Sequence, residues 1–323
     1  MSVPTQEVAP PTDVRRPTRR QRRLAADSRS TSAIQHSSPW APYLFSAPVI
    51  ILIACILGFP VLYGVYQSLF RPDSFGLPQE FVGLRNYTEM FDDPVFWHAF
   101  RTSAVFVTGC LVVGTVLGVV FGFALNRAVS SMRFLRAVTI APYIVSNVAA
   151  AVMFRILFNT DFGLLNRTIE FFGFDGLNWL SEPKLAMVVV VFCQVWTDVP
   201  LTILLVLAGL QTIDQSYLDS ALVDGASGWR RAWHISIPLI APQLAIAIIW
   251  QSYATLTGLG VVLALTGGGP LKATETLPMQ MYDTAFTSLE LNQALAIGTF
   301  ILILNAALTL LFFMISRRFG QEG

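Results

Sequence analysis

Charge, and lysine in particular, is what this sequence has least of. Only 13% of its 323 residues are charged, against about a quarter in an ordinary soluble domain. Of the 21 basic residues, just Lys184 and Lys272 are lysines. With 54% hydrophobic residues, the chain has too little polar material to cover a water-soluble globule, which excludes an ordinary cytosolic enzyme. Neither lysine follows a glycine, so no G-x-x-x-x-G-K-[ST] phosphate loop exists. Any ATP that powers this protein must be hydrolysed on another chain. Cysteine is equally scarce. Cys55, Cys110 and Cys193 each fall inside an apolar run and bear no spacing relation to one another or to the three histidines, so neither a disulfide framework nor a metal site is expected. Paired carboxylates and nucleophile–base constellations are missing as well. No catalytic residue, cofactor or nucleic-acid partner is expected.

What is present is apolar sequence in long blocks. Six runs, at about 43–69, 102–126, 134–158, 185–210, 239–265 and 293–316, have the length needed to cross about 30 Å of hydrocarbon at 1.5 Å per residue. The reading is an all-α, polytopic membrane protein with six transmembrane helices. Residues 1–39 are rich in Pro, Ser, Thr and Arg, lack hydrophobic periodicity, and read as a disordered basic arm. The remainder, 40–323, is one transmembrane domain.

Arginine gives the chain a direction. Seven arginines lie in the arm, and Arg127, Arg133, Arg136, Arg230, Arg231, Arg317 and Arg318 fall on the same side of the six spans. The opposite stretches are poorer in basic residues and carry Asp92, Asp93, Trp97, Phe100, Trp179 and Glu182. The positive-inside rule places both termini in the cytoplasm of a bacterial cell, in its cytoplasmic membrane. The opposite, acidic and aromatic stretches read as interfacial lids, in contact with membrane lipid.

Within the spans, Gly114, Gly118 and Gly122 repeat every four residues, a small-xxx-small face that admits a close helix neighbour. Polar groups recur at mid-membrane depth: Asn147 in the third span, Gln194, Asp198 and Thr202 along one face of the fourth, and Gln251, Ser252, Tyr253 and Thr255 in the fifth. Such residues either face a wet solute pathway or bond neighbouring helices. Amides, hydroxyls and adjacent rings suit a sugar. Asp198 equally suits a proton or sodium site of a secondary transporter, or stabilisation of a kink at Pro200.

The loop at 211–238 is the most informative segment. Asp214 can cap a helix, Leu218, Ala221 and Leu222 form an apolar stripe, and Gly225 can supply the left-handed residue that ends it. A second short helix, about 228–236, then leads to Pro238. Asp219 and Asp224 offer carboxylates, and Ser220, Ala221 and Ala226 are small enough for a partner's groove to close around them.

Asp219-Ser220-Ala221, Asp224-Gly225-Ala226, Trp233 and Ile235-Ser236-Ile237-Pro238 resemble the EAA loop of binding-protein-dependent ABC importer permeases, with Asp219 for Glu, Ser220 for Ala and Ile237 for Leu. Phe81 to Tyr87, Asp93 to Trp97, and Leu265 to Pro270 with Thr274 to Leu277 narrow the resemblance to the maltose-type, carbohydrate-importing branch. It covers about 43–319. The resemblance implies a type I importer permease fold and a coupling helix at Asp219 to Ala226. It further implies a second homologous permease, two cytoplasmic ATPase subunits, an extracytoplasmic solute-binding protein and a small solute such as a sugar. Glycerol phosphate and a polyamine are alternative solutes; the first would want a basic cavity and the second several carboxylates.

Overall fold

The computed structural model describes residues 41–71, 80–127 and 133–320. The basic arm expected at 1–39 lies outside them. By its internal contacts the chain divides at Leu62. The segment before that point is helical, with α1 (Ala41–Ile53) running into a π-helical turn at Ala54–Gly58 and then into α2 (Phe59–Gln67). The π turn stops two residues before Pro60. A proline removes one ladder hydrogen bond and crowds the carbonyl four residues back, and a widened turn accommodates both effects.

From Tyr63 onward, the chain forms a helical bundle. A two-stranded antiparallel ribbon, β1 (Phe70–Arg71) and β2 (Glu80–Phe81), precedes α3 (Arg85–Asp92) and the long α4 (Pro94–Arg127). Then come α5 (Arg133–Ile144), α6 (Asn147–Leu157), α7 (Leu164–Phe171), α8 (Pro183–Gln211), α9 (Gln215–Val223) and α10 (Gly228–Arg231). A second π turn, Ala232–Ser236, leads into α11 (Ile237–Leu239), again two residues before a proline, Pro238. The chain closes with α12 (Ala241–Thr257), α13 (Gly260–Leu265), α14 (Leu277–Phe286) and α15 (Leu291–Gly320).

Among the described residues four helices are long and apolar enough to cross a membrane: Ser46–Gln67, Pro94–Asn126, Pro183–Gln211 and Leu291–Met314. The other two expected spans are broken. The third, expected as continuous over 134–158, bends by 101° between Ile144 and Asn147, so Asn147 starts a helix rather than sitting in the middle of one. Pro142 and the extended backbone at Ser146 (ψ 137°) mark the break. The fifth joins Gly228–Leu239 to Ala241–Thr257 through a 72° bend and stops at Thr257, short of the expected 265. A Cβ on Gly258 would lie 2.7 Å from the Ala254 carbonyl oxygen, so this break needs glycine. Counting each bent pair as one crossing gives six.

The bundle packs on the face of α4 that the glycine repeat marks. A side chain on Gly114 would strike the Gln251 amide, one on Gly118 would strike Thr202, and one on Gly122 would come within 2.5 Å of Val206. The close approach brings α8 and α12 against α4 and replaces missing side chains with dispersion contact. Phe106, Cys110, Phe154, Val190, Cys193 and Val262 fill one core between α4, α6, α8 and α13. Phe96, Val107, Leu256, Leu277 and Ile297 fill another between α4, α12, α14 and α15.

Candidate functional site

Two ends of this bundle have different chemistry. At the end where α4 begins, the connecting segments are tied down by buried polar side chains. Asn166 of α7 donates to the carbonyls of Thr160 and Leu177, and its Oδ1 accepts from the Leu177 amide at 3.1 Å and the Trp179 indole at 2.7 Å. Asn86 and Asn292 each donate to the Phe70 carbonyl. Glu89 accepts from Arg85 at 2.9 Å and Arg71 at 3.1 Å. Burial pushes the Glu89 carboxyl up, but the two guanidinium bonds outweigh it and hold its pKa below the usual glutamate value. Trp97 packs with Phe91, Phe96 and Phe100 and donates to the Phe91 carbonyl. The expected lids are therefore anchored parts of the bundle. Sequence reasoning passed over Asn86, Asn166 and Asn292, because an asparagine in a polar stretch is indistinguishable from a turn residue until its partners are known.

The opposite end carries the 211–238 loop. Asp214 caps α9, its carboxylate accepting from the Ser216 amide at 2.9 Å. That backbone bond holds the Asp214 pKa below the usual aspartate value. Gly225 has φ +73°, and the bonds Gly225 N–H to Leu222 C=O and Ala226 N–H to Ala221 C=O are the pair that closes a Schellman cap. Both helix ends are thus satisfied locally. Leu218 and Ala221 turn inward as expected, but Leu222 is exposed, as are Tyr217 and Val223, the last at 88%. The apolar stripe is therefore narrower than the spacing suggests, and α9 shows three large apolar side chains to its surroundings. Asp219, Ser220, Asp224 and Gly225 are exposed, Ala226 is half-buried and Ala221 is buried. Gln215 donates to the Asp219 carboxylate at 3.1 Å, leaving Asp219 without a cationic partner among the described residues.

The mid-depth polar residues divide into two groups. Gln194, Asp198, Gln251, Ser252 and Thr255 are buried between helices. Gln194 donates to the Asp198 carboxylate at 2.7 Å, and Thr197, adjacent to it, donates to the Gln194 carbonyl. Gln251 donates to the Cys110 carbonyl at 2.8 Å, joining α12 to α4. Ser252 and Thr255 bond back to their own helix. Gln194 also approaches the end of α12, since a Cβ on Gly258 would lie 3.7 Å from its Oε1. Asn147 and Tyr253, in contrast, are exposed on the bundle surface. The first set is enclosed within this chain, with Gln251 bonding across to another helix and the others within their own. The other faces outward.

Four long apolar helices and two bent pairs among the described residues, with a locally capped helix displayed at one end, define a multi-pass membrane protein. Residues 114–321 match the family described as binding-protein-dependent transport system inner membrane component, and the chain belongs to that family. It is 34% identical to the sn-glycerol-3-phosphate transport system permease protein UgpA of Agrobacterium fabrum, over 83% of this chain and 92% of that one. It is 32% identical to the sulfoquinovosyl glycerol transport system permease protein SmoG of the same organism, over 85% and 89% of the two chains. Identity to the trehalose/maltose transport system permease protein MalF of Thermococcus litoralis is 31%, over 86% and 95%. In fold, the chain is similar to one from a bacterial ABC transporter that imports the acidic polysaccharide alginate, with a TM-score of 0.73 at 21% identity, covering 92% of this chain and 99% of that one. The chain is thus an inner-membrane permease component with the ABC importer permease fold. The ion-coupled alternative built on Asp198 is set aside by this membership.

Proposed function

We propose that this chain pairs with a second, similar permease and docks two cytoplasmic ATPase subunits through α9. In this reading it accepts a polyhydroxylated solute from an extracytoplasmic binding protein. Both termini lie in the cytoplasm, on the side of the 211–238 loop. The observation that carries the docking is the exposed surface of α9. Tyr217, Leu222 and Val223 offer apolar contact, Asp219 and Asp224 offer carboxylates, and both helix ends are already satisfied. A helix in that condition is ready to insert as a rigid body into a partner's groove. Closure of the ATPase pair around ATP would draw the two permeases' loops together and switch the pathway from inward-facing to outward-facing.

A sugar or related polyol is the solute class supported by the exposed Asn147 and Tyr253 and by what the relatives' names share, which is a carbohydrate or a glycerol derivative. Within that class a polyol bearing an acidic group is the second reading. Arg155, Asn159, Thr160, Asp161, Ser181 and Thr266 line a cavity of about 390 Å³, where the single guanidinium is the group a phosphate- or sulfonate-bearing solute would want and the Asp161 carboxylate opposes it.

Gly225→Val tests the coupling. A β-branched residue at φ +73° is strained by roughly 1–2 kcal/mol, so the turn re-forms and α9 loses its presentation. Solute-stimulated ATPase activity of the reconstituted complex is expected to fall at least tenfold while the complex stays assembled; undiminished stimulation would overturn the docking.

A further inference from the structure

At the end of the bundle opposite the 211–238 loop, the turn after α6 faces the segment before α8 and the loop after α13 across the cavity of about 390 Å³. Arg155 and Asp161 both line this cavity, and both are exposed. Neither forms an ion pair with the other or with any charged group among the described residues. Two opposite charges that share a cavity and stay beyond ion-pair reach leave room for a group that accepts from one and donates to the other. A hydroxyl does both.

The surroundings agree with a hydroxyl-rich occupant. Thr160 and Ser181 line the same cavity, and among the described residues neither hydroxyl has a hydrogen-bond partner. The walls are fixed before anything binds. Asn159 Oδ1 accepts from the Asp161 amide at 2.9 Å and the Phe162 amide at 3.2 Å, and Asn166 holds the Thr160 carbonyl at 3.1 Å. Across the cavity, the Thr266 and Thr274 hydroxyls share a bond of 2.7 Å, and Thr274 donates to the Gly269 carbonyl at 2.6 Å. Such preorganisation lowers the cost of ordering on binding. Phe158 and Pro270 add apolar wall on which the C–H face of a polyol can pack. A phosphate or sulfonate would pair with Arg155 but face the Asp161 carboxylate, and an ammonium would meet the reverse. A zwitterion would match both charges, but exposed ion pairs contribute little and the two hydroxyls would gain nothing from it.

We propose that this cavity is an outer landing subsite for an uncharged polyol, whose neighbouring hydroxyls accept from the Arg155 guanidinium and donate to the Asp161 carboxylate. The subsite rests on the polyol reading above and sharpens it, since a net charge of either sign on the solute is opposed here. Arg155 and the exposed Asn147 both lie on α6, about 12 Å apart at 1.5 Å per residue, so a solute held here is two helical turns from the next outward-facing amide.

Saturation-transfer difference NMR on the full chain in lipid nanodiscs tests it, with sorbitol, sn-glycerol 3-phosphate and alanine as probes. In the native chain the sorbitol signal is expected to be at least threefold that of either other probe. Arg155→Gln and Asp161→Asn are each expected to lower it at least fivefold, and Asp161→Asn to raise the glycerol 3-phosphate signal. Both side chains are exposed, so the variants are expected to keep the native thermal midpoint; the ranking in the native chain decides the charge preference even where a variant does not fold. A ranking led by glycerol 3-phosphate or alanine, or no sorbitol signal, would overturn the subsite. A sorbitol signal that both folded variants leave intact places the polyol elsewhere, which overturns the subsite while the polyol reading stands. That reading is checked separately: if no polyol stimulates the ATPase activity of the complex with its binding protein, the reading falls and the subsite falls with it.

Discussion

The two ends of the bundle hold their loops by different means. Around Asn166, one side chain satisfies two carbonyls, one amide and one indole, so 160–179 is cross-linked to itself and made part of the folded body. Around α9, each helix end is closed by residues next to it in sequence: Asp214 at one end and Gly225 at the other. Bonds that reach beyond the next turn, those of Asn166 and the Asn292 bond to the Phe70 carbonyl, make a scaffold that resists displacement. Local caps make an element that keeps its shape while its outer face remains free. The difference separates a part cross-linked into the folded body from a part whose outer face is left uncovered.

That contrast can be broken most strongly at Asn166. Replacement by Leu fills the space but leaves the Leu177 amide, the Trp179 indole and two carbonyls without their partner, a loss of about 3 kcal/mol. The thermal midpoint of the purified chain is expected to fall by roughly 5–10 °C; an unchanged midpoint would show that the hub does not hold this end. Asp214→Ala is the matched experiment at the other end. It removes a cap that serves only α9, so the midpoint should stay where it is while hydrogen exchange at Ser216 and Tyr217 speeds up several-fold. Loss of global stability there would dissolve the distinction. The smallest effect belongs to Glu89, whose side chain is about one-third exposed. Since its pKa is held below the ordinary glutamate value, its contribution is fully present above that value and is lost as pH falls through the lowered one. Stability of the native chain relative to Glu89→Gln should be constant from about pH 6 to 8 and converge only below about pH 4. A difference that changed across the neutral range would rule this pairing out as its source.

Much of the architecture was legible because membrane spans are encoded by composition. Twenty apolar residues in a row have few soluble alternatives, and the glycine repeat at 114, 118 and 122 marked the face of α4 on which the other helices pack. Asp214 and Gly225 were legible for a related reason: caps are local and depend on residue types three or four positions apart. The break at 145–146 was not, because the two helices that flank it are apolar enough together to read as one span, nor was the stop at Thr257. The inward or outward facing of Leu222 was also hidden, as a helical stripe has edges that only its neighbours settle. Gln251 and Asn147 looked alike in sequence as mid-span amides. One bonds the Cys110 carbonyl in the interior, and the other starts a helix on the outside.

The sequence by itself determined the solvent of this protein, the number and approximate place of its crossings, and the residues that cap its displayed helix, since each follows from patterns within a few turns of chain. Only the tertiary structure decided which polar groups are enclosed and which remain available, and that an apolar groove opens between α4 and the segment after α9. Those outcomes depend on residues far apart in sequence, as with Cys110 and Gln251 or Val120 and Trp233. A hydrogen bond or an empty groove exists only once the helices have met.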